Sequence, residues 1–157
     1  LTLRGLRTLQ VRMRQHEETA SLLARVLDEQ QGVRQVYYPG LETHPGHDIA
    51  RRQQSGFGGM ISFEINGGEE AVRAFIEHLQ YFSLAESLGG VESLVCHPPS
   101  MTHAPVSEEA LGEAGISQSL VRLSVGLEAV EDLVDDVLKA LDAAKDALAP
   151  EPVAVCG

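Results

Sequence analysis

Residues 119–126, SLVRLSVG, carry the stretch that decides the fold. Val121, Leu123 and Val125 alternate onto one side, which puts Leu120, Arg122 and Ser124 on the other. Strict alternation of this kind predicts a strand with one apolar face. The arginine in its middle must reach water, sit beside a carboxylate or meet an anionic ligand, because a buried unpaired charge is too costly to keep. Alternation alone leaves Arg122 divided between a solvated strand residue and an anion clamp.

Downstream of this strand, Val130, Leu133, Val134, Val137, Leu138, Leu141, Ala144 and Leu148 recur at helical spacing and predict an amphipathic helix ended by Pro150. Upstream, Leu6, Leu9, Met13, Ala20, Leu23 and Leu27 predict one long amphipathic helix over residues 1–30. GVRQVYYPG then reads as a short strand, HPGHDIARRQQ as a turn and a short helix from near Asp48, and MISFEI as a strand with Ile61, Phe63 and Ile65 on one face. Gly67 and Gly68 close that strand, and residues 69–80 form a helix with Glu69 and Glu70 in its first turn, where the dipole favours acids. FSLAESLGGVESLVCHP predicts a strand, a Gly-Gly turn and a second short extended piece, followed by a loop and a short helix over 107–114. About four strands with helices on one face make a two-layer α/β sandwich.

The chain has 157 residues, enough for one domain with its own core. With four Phe, three Tyr and no Trp, that core must be built mostly from Leu, Val, Ile and Ala. A net charge of −11 argues against nucleic acid or an anionic membrane as partner, since both require clustered Lys and Arg. No apolar run approaches the ~20 residues of a membrane helix. Cys96 and Cys156 form neither a disulfide framework nor a zinc spacing, and a cytoplasmic location is expected. The start, inside a helical pattern and without Met, reads as that of a fragment.

Few residues offer chemistry of their own. Lys139 and Lys145 are the only lysines and lie on the last helix among Asp135, Asp136, Asp142 and Asp146, where charge on a solvated face outweighs catalysis. Gly56–Gly59 precedes a strand instead of opening a helix, so it reads as a turn and not a phosphate loop. His44 and His47 flank Pro45-Gly46, a turn without a third ligand, and Cys96, His97 and His103 lack a metal spacing; no metal site is expected. Glu86 and Ser87 end an apolar strand just before two glycines, a position equally suited to a ligand site and to an exposed turn.

Taken in order, RGLRTLQVRM, VYYPGLETHP, GFGGMISFEI, SLAESLGGVESLVCHPPSMTHA and GISQSLVRLSVGLEAVEDLVDDV resemble the C-terminal domain of the cystathionine γ-synthase and γ-lyase family of pyridoxal-phosphate enzymes. The resemblance implies the C-terminal domain of a fold-type I aminotransferase-like subunit, with residues 1–30 as a long interdomain helix and 31–148 as the substrate-binding domain; the residues 149–157 themselves read as a disordered tail. It also implies that the N-terminal cofactor domain, with the Schiff-base lysine, is absent from this chain, so catalytic and cofactor-binding residues are not expected in it. By resemblance, Arg122 matches the arginine that pairs with a substrate α-carboxylate, Ser87 helps to hold the same carboxylate, and Thr102 lines the pocket. Glu86 matches the ESLGG form of cystathionine-handling members, where a carboxylate can receive the distal ammonium of cystathionine. The resemblance further implies pyridoxal 5'-phosphate as an electron sink for carbon–sulfur chemistry, an amino-acid substrate, docking onto the enzyme's own N-terminal domain, and a homotetramer. The alternatives are a methionine γ-lyase or specialised carbon–sulfur lyase, and a non-catalytic binding or assembly module.

Overall fold

A computed structural model describes residues 1–148; the tail expected at 149–157 lies outside the described residues. Strand β5 (Leu120–Ser124) pairs antiparallel with β2 (Met60–Ile65) on one side and with β4 (Leu94–Cys96) on the other. β1 (Val33–Tyr37) extends the sheet beyond β2, and β3 (Ser83–Leu84) forms the opposite edge, parallel to β4. The order is β1-β2-β5-β4-β3, five strands where about four are expected, because both short pieces of the Gly-Gly region pair.

Parallel pairing of β3 with β4 has a consequence for the chain's path. A hairpin would return antiparallel after two residues, whereas parallel neighbours require the chain to travel back to the strand's starting end. Residues 85–93 make that journey, running alongside β5 on the way.

Alternation decides which side is core. Ile61, Phe63 and Ile65 from β2 and Val121, Leu123 and Val125 from β5 and its end are all at most 2% exposed. They are covered by α2 (Leu9–Asp28), α4 (Gly68–His78) and α6 (Val130–Asp146). The stripes of these helices close the layer with Ala20, Leu23 and Leu27, with Val72 and Phe75, and with Leu133, Val137, Ala140, Leu141 and Ala144. Each large side chain buried this way contributes about 1.5–3 kcal/mol. Gly67, at φ 109°, takes the left-handed conformation that turns β2 directly into α4.

The single helix expected over residues 1–30 is two. α1 (Thr2–Arg7) stops at Thr8, whose N–H bonds back to the Gly5 carbonyl three residues earlier, at 3.3 Å. That carbonyl also takes Arg12 Nη2 at 2.9 Å, and glycine and threonine are weak helix formers, so the backbone breaks here. The apolar stripe divides at the same region: Ala20, Leu23 and Leu27 are buried, whereas Leu6, Leu9 and Met13 face solvent. Two short helices, α3 (His47–Gln53) and α5 (Glu108–Glu113), lie in connections close to their expected positions. Among the described residues no helix is long and apolar enough to cross a membrane.

Candidate functional site

The side of the sheet away from α2, α4 and α6 carries Ser62 on β2, Arg122 on β5 and Cys96 on β4, directly opposite one another across three adjacent strands. Arg122 is half-buried. Its Nη2 donates to the carbonyl oxygens of Glu86 at 3.0 Å and Ser87 at 3.2 Å. Its Nε is buried and has no hydrogen-bond partner. A guanidinium presents its N–H groups as a rigid fork, so a planar oxyanion could take up donors that the two carbonyls leave unused. An unmet buried donor costs about 1–3 kcal/mol, so an acceptor at this Nε would be stabilising.

The Glu86–Gly89 turn is exposed along its length. Among the described residues, neither the Glu86 carboxylate nor the Ser87 hydroxyl makes a hydrogen bond within the chain; both turn residues reach Arg122 through their carbonyls. The structure therefore brings Arg122, Glu86 and Ser87 together. Thr102 is not joined to them: it is exposed, and its hydroxyl lies 2.8 Å from His103 Nδ1 within the turns of residues 97–106.

His97 explains how that segment is anchored. Its Nε2 donates to the Gln118 carbonyl at 3.0 Å, which leaves Nδ1 to accept from Ser100 Oγ at 2.7 Å in the neutral ring. Both nitrogens are thus engaged in holding the approach to β5. His44 Nδ1 accepts the Gly46 N–H at 3.0 Å, while His47 lies 2.8 Å from the Pro39 carbonyl and stacks on Phe57. No group of three or more His, Cys, Asp or Glu among the described residues is arranged to hold a metal ion.

Other polar residues near the site go unnoticed in a reading of periodicity. Ser124 Oγ accepts the Gly89 N–H at 2.8 Å. Glu128 accepts from Ser93, N–H at 2.7 Å and hydroxyl at 2.8 Å, and the same hydroxyl accepts the Gly126 N–H at 2.8 Å. His16 on α2 is buried, and its Nδ1 donates to the Val125 carbonyl at 2.7 Å, pinning the end of β5 to the helical layer. Only Ser124 had a sequence signal, its shared face with Arg122. The others depend on contacts between residues 33 to 109 apart.

Comparison with known proteins places this arrangement among relatives. The family described as Cys/Met metabolism PLP-dependent enzymes matches residues 1–142. A cystathionine beta-lyase of Lactococcus lactis subsp. cremoris is 54% identical over 142 residues, covering 90% of this chain and 37% of the relative. A cystathionine gamma-synthase of Escherichia coli is 50% identical over 137 residues, and an L-methionine gamma-lyase of Fusobacterium nucleatum subsp. polymorphum 49% over 140. Crystal structures of cystathionine gamma synthase from Xanthomonas oryzae pv. oryzae, one in complex with aminoacrylate and cysteine and one with cystathionine, superpose with a TM-score of 0.90 at 59% identity. They match 94% of this chain and 38% of theirs. The chain spans 37% of the length of the first of these curated relatives.

Proposed function

The chain belongs to the Cys/Met metabolism PLP-dependent enzyme family, and on that premise we propose that it is the C-terminal, substrate-holding part of a cystathionine γ-lyase or γ-synthase type of enzyme. Arg122 receives the α-carboxylate of the amino acid, and Ser87 and Glu86 stand beside it. The observation that carries this reading is the buried, unpartnered Nε of Arg122. Carboxylate is the planar anion that suits a guanidinium fork, and holding it orients the substrate's Cα.

The described residues fit the substrate's carboxylate and not the cofactor's anchor. Lys139 and Lys145 are the only lysines, and both lie on α6, in the helical layer on the other side of the sheet from Arg122. Lys145 pairs with Asp142 at 2.9 Å. Pyridoxal phosphate therefore takes its anchors from the rest of the enzyme, and no step is assigned to it on this chain.

Glu86 supports cystathionine over methionine as substrate, since its exposed carboxylate, free of hydrogen bonds within the described residues, is available to a distal ammonium. Thr102 is assigned to the pocket wall that the remainder of the enzyme completes. The solvent-facing Leu3, Leu6, Val11 and Met13 support docking of the first helices onto the larger domain, and assembly into a homotetramer.

Arg122→Lys in the complete polypeptide tests the clamp. The lost charge-assisted bonding, about 1.5–3 kcal/mol, predicts a KM raised about ten- to a hundredfold. An unchanged KM would remove Arg122 from the site. Glu86→Val should weaken use of cystathionine while sparing methionine, and equal losses on both would make Glu86 a structural residue. If the purified protein is colourless and has only the mass of these 157 residues, it is a non-catalytic module instead.

A further inference from the structure

The turn that carries Glu86 and Ser87 is held in an unusual way. Leu88 and Val91 are 55% and 53% exposed, so burial of apolar side chains does not fasten it. Polar ties to β5 and its continuation do: Arg122 to the carbonyls of Glu86 and Ser87, Ser124 to the N–H of Gly89, the Leu127 N–H to the Val91 carbonyl at 2.8 Å, and Gly126 and Glu128 to Ser93. Arg122, Ser124 and Gly126 follow one another at the two-residue period of one strand face, which is why a single strand can lace a whole turn.

Ser124 occupies the middle of this lacing. It is 2% exposed, and its hydroxyl holds the amide of Gly89, which sits at φ 75° in the left-handed region. Two residues before Gly89 lies the Ser87 carbonyl on which Arg122 Nη2 rests. Ser124 and Arg122 therefore hold the same turn two residues apart.

We propose that Ser124 is a positioning residue of the carboxylate site: its hydroxyl fixes the Gly89 turn, and through that turn sets the guanidinium of Arg122 for the substrate's carboxylate. The proposal rests on the reading of Arg122 as carboxylate clamp and adds how the clamp is held. Ser124 touches no substrate atom and acts only through the turn and Arg122.

The test is a double-mutant cycle in the complete polypeptide, with KM and kcat for the amino-acid substrate measured separately. Ser124→Ala should raise KM about three- to tenfold, the equivalent of one hydrogen bond, with kcat changed less than about twofold. In an Arg122→Ala background the same substitution should raise KM no further, because its route of action is gone. Gly89→Ala disturbs the same turn from the other side, where a Cβ meets open space and only the left-handed backbone is strained. It should show the same split and the same dependence on Arg122, so a Ser124→Ala protein that failed to fold would not remove the test. An equal rise of KM in both backgrounds, or no rise at all, overturns the proposal. Should Arg122→Ala itself leave KM unchanged, the clamp reading falls and the role of Ser124 with it; if Arg122→Ala raises KM while Ser124→Ala and Gly89→Ala are silent, only the role of Ser124 is lost.

Discussion

The two faces of β5 differ in what holds them. On one, Val121, Leu123 and Val125 press into a layer of three helices, and each is at most 2% exposed. On the other, Arg122 is joined to the 86–93 turn by two hydrogen bonds and Ser124 by one, across a stretch that leaves Leu88 and Val91 in water. Apolar contacts are non-directional and add by area, so the helical face is secured by many neighbours at once. Hydrogen bonds are directional and few, so the opposite face holds a geometry without contributing much stability. One strand thereby supports the fold with its odd residues and presents a fork with its even ones.

This contrast can be broken by substitution on each face in turn. Leu123→Ala should cost about 2–5 kcal/mol in chemical denaturation, the range for a fully buried leucine that leaves a cavity. A loss below about 1 kcal/mol would show that the helical face is not the one that carries the stability. Tyr38 is an intermediate case, because it belongs to the core yet donates its hydroxyl proton to the Gly58 carbonyl at 3.0 Å and accepts from Ser21 at 2.9 Å. Burial raises its pKa above the ordinary 10.0, the Ser21 bond opposing and nearby Glu17 adding to the shift. Above pH 10 the unfolded chain releases this proton while the folded one retains it, so stability falls as pH rises through that window and up to the raised value. Tyr38→Phe should cost about 1 kcal/mol at neutral pH and flatten that alkaline decline, as read from denaturation midpoints between pH 8 and pH 11. The smallest effect is expected for Arg122→Ala, about 0.5–1 kcal/mol of stability, since the residue is half-buried and tethers only a surface turn. A loss as large as that of Leu123→Ala would make Arg122 a structural residue.

The alternation of β2 and β5 and the stripes of α4 and α6 were legible because each is a local repeat along the chain. The same reasoning grouped Leu6, Leu9 and Met13 with Ala20, Leu23 and Leu27, although only the second group is buried. A stripe states which residues share a face, and not whether anything covers it. Asp136, one of a row of acids on α6, is likewise buried, because its two oxygens accept the N–H groups of Gln80 and Tyr81, each at 2.9 Å. Spacing offered no means of separating it from Asp135 or Asp142.

By itself the sequence determined the α/β class, the faces of the main strands, the family, and the small set of residues in which a site was to be sought. The motifs placed Arg122, Glu86 and Ser87 as a group through resemblance, with Thr102 as a further member. Tertiary structure alone decided that β3 and β4 run parallel, that residues 85–93 therefore pass along β5, and that Arg122 meets two carbonyls there with Nε left over. The reason is physical range: periodicity acts between residues two to four apart, whereas the ties that shape the site join residues about 35 apart and exist only once the chain's path has been chosen.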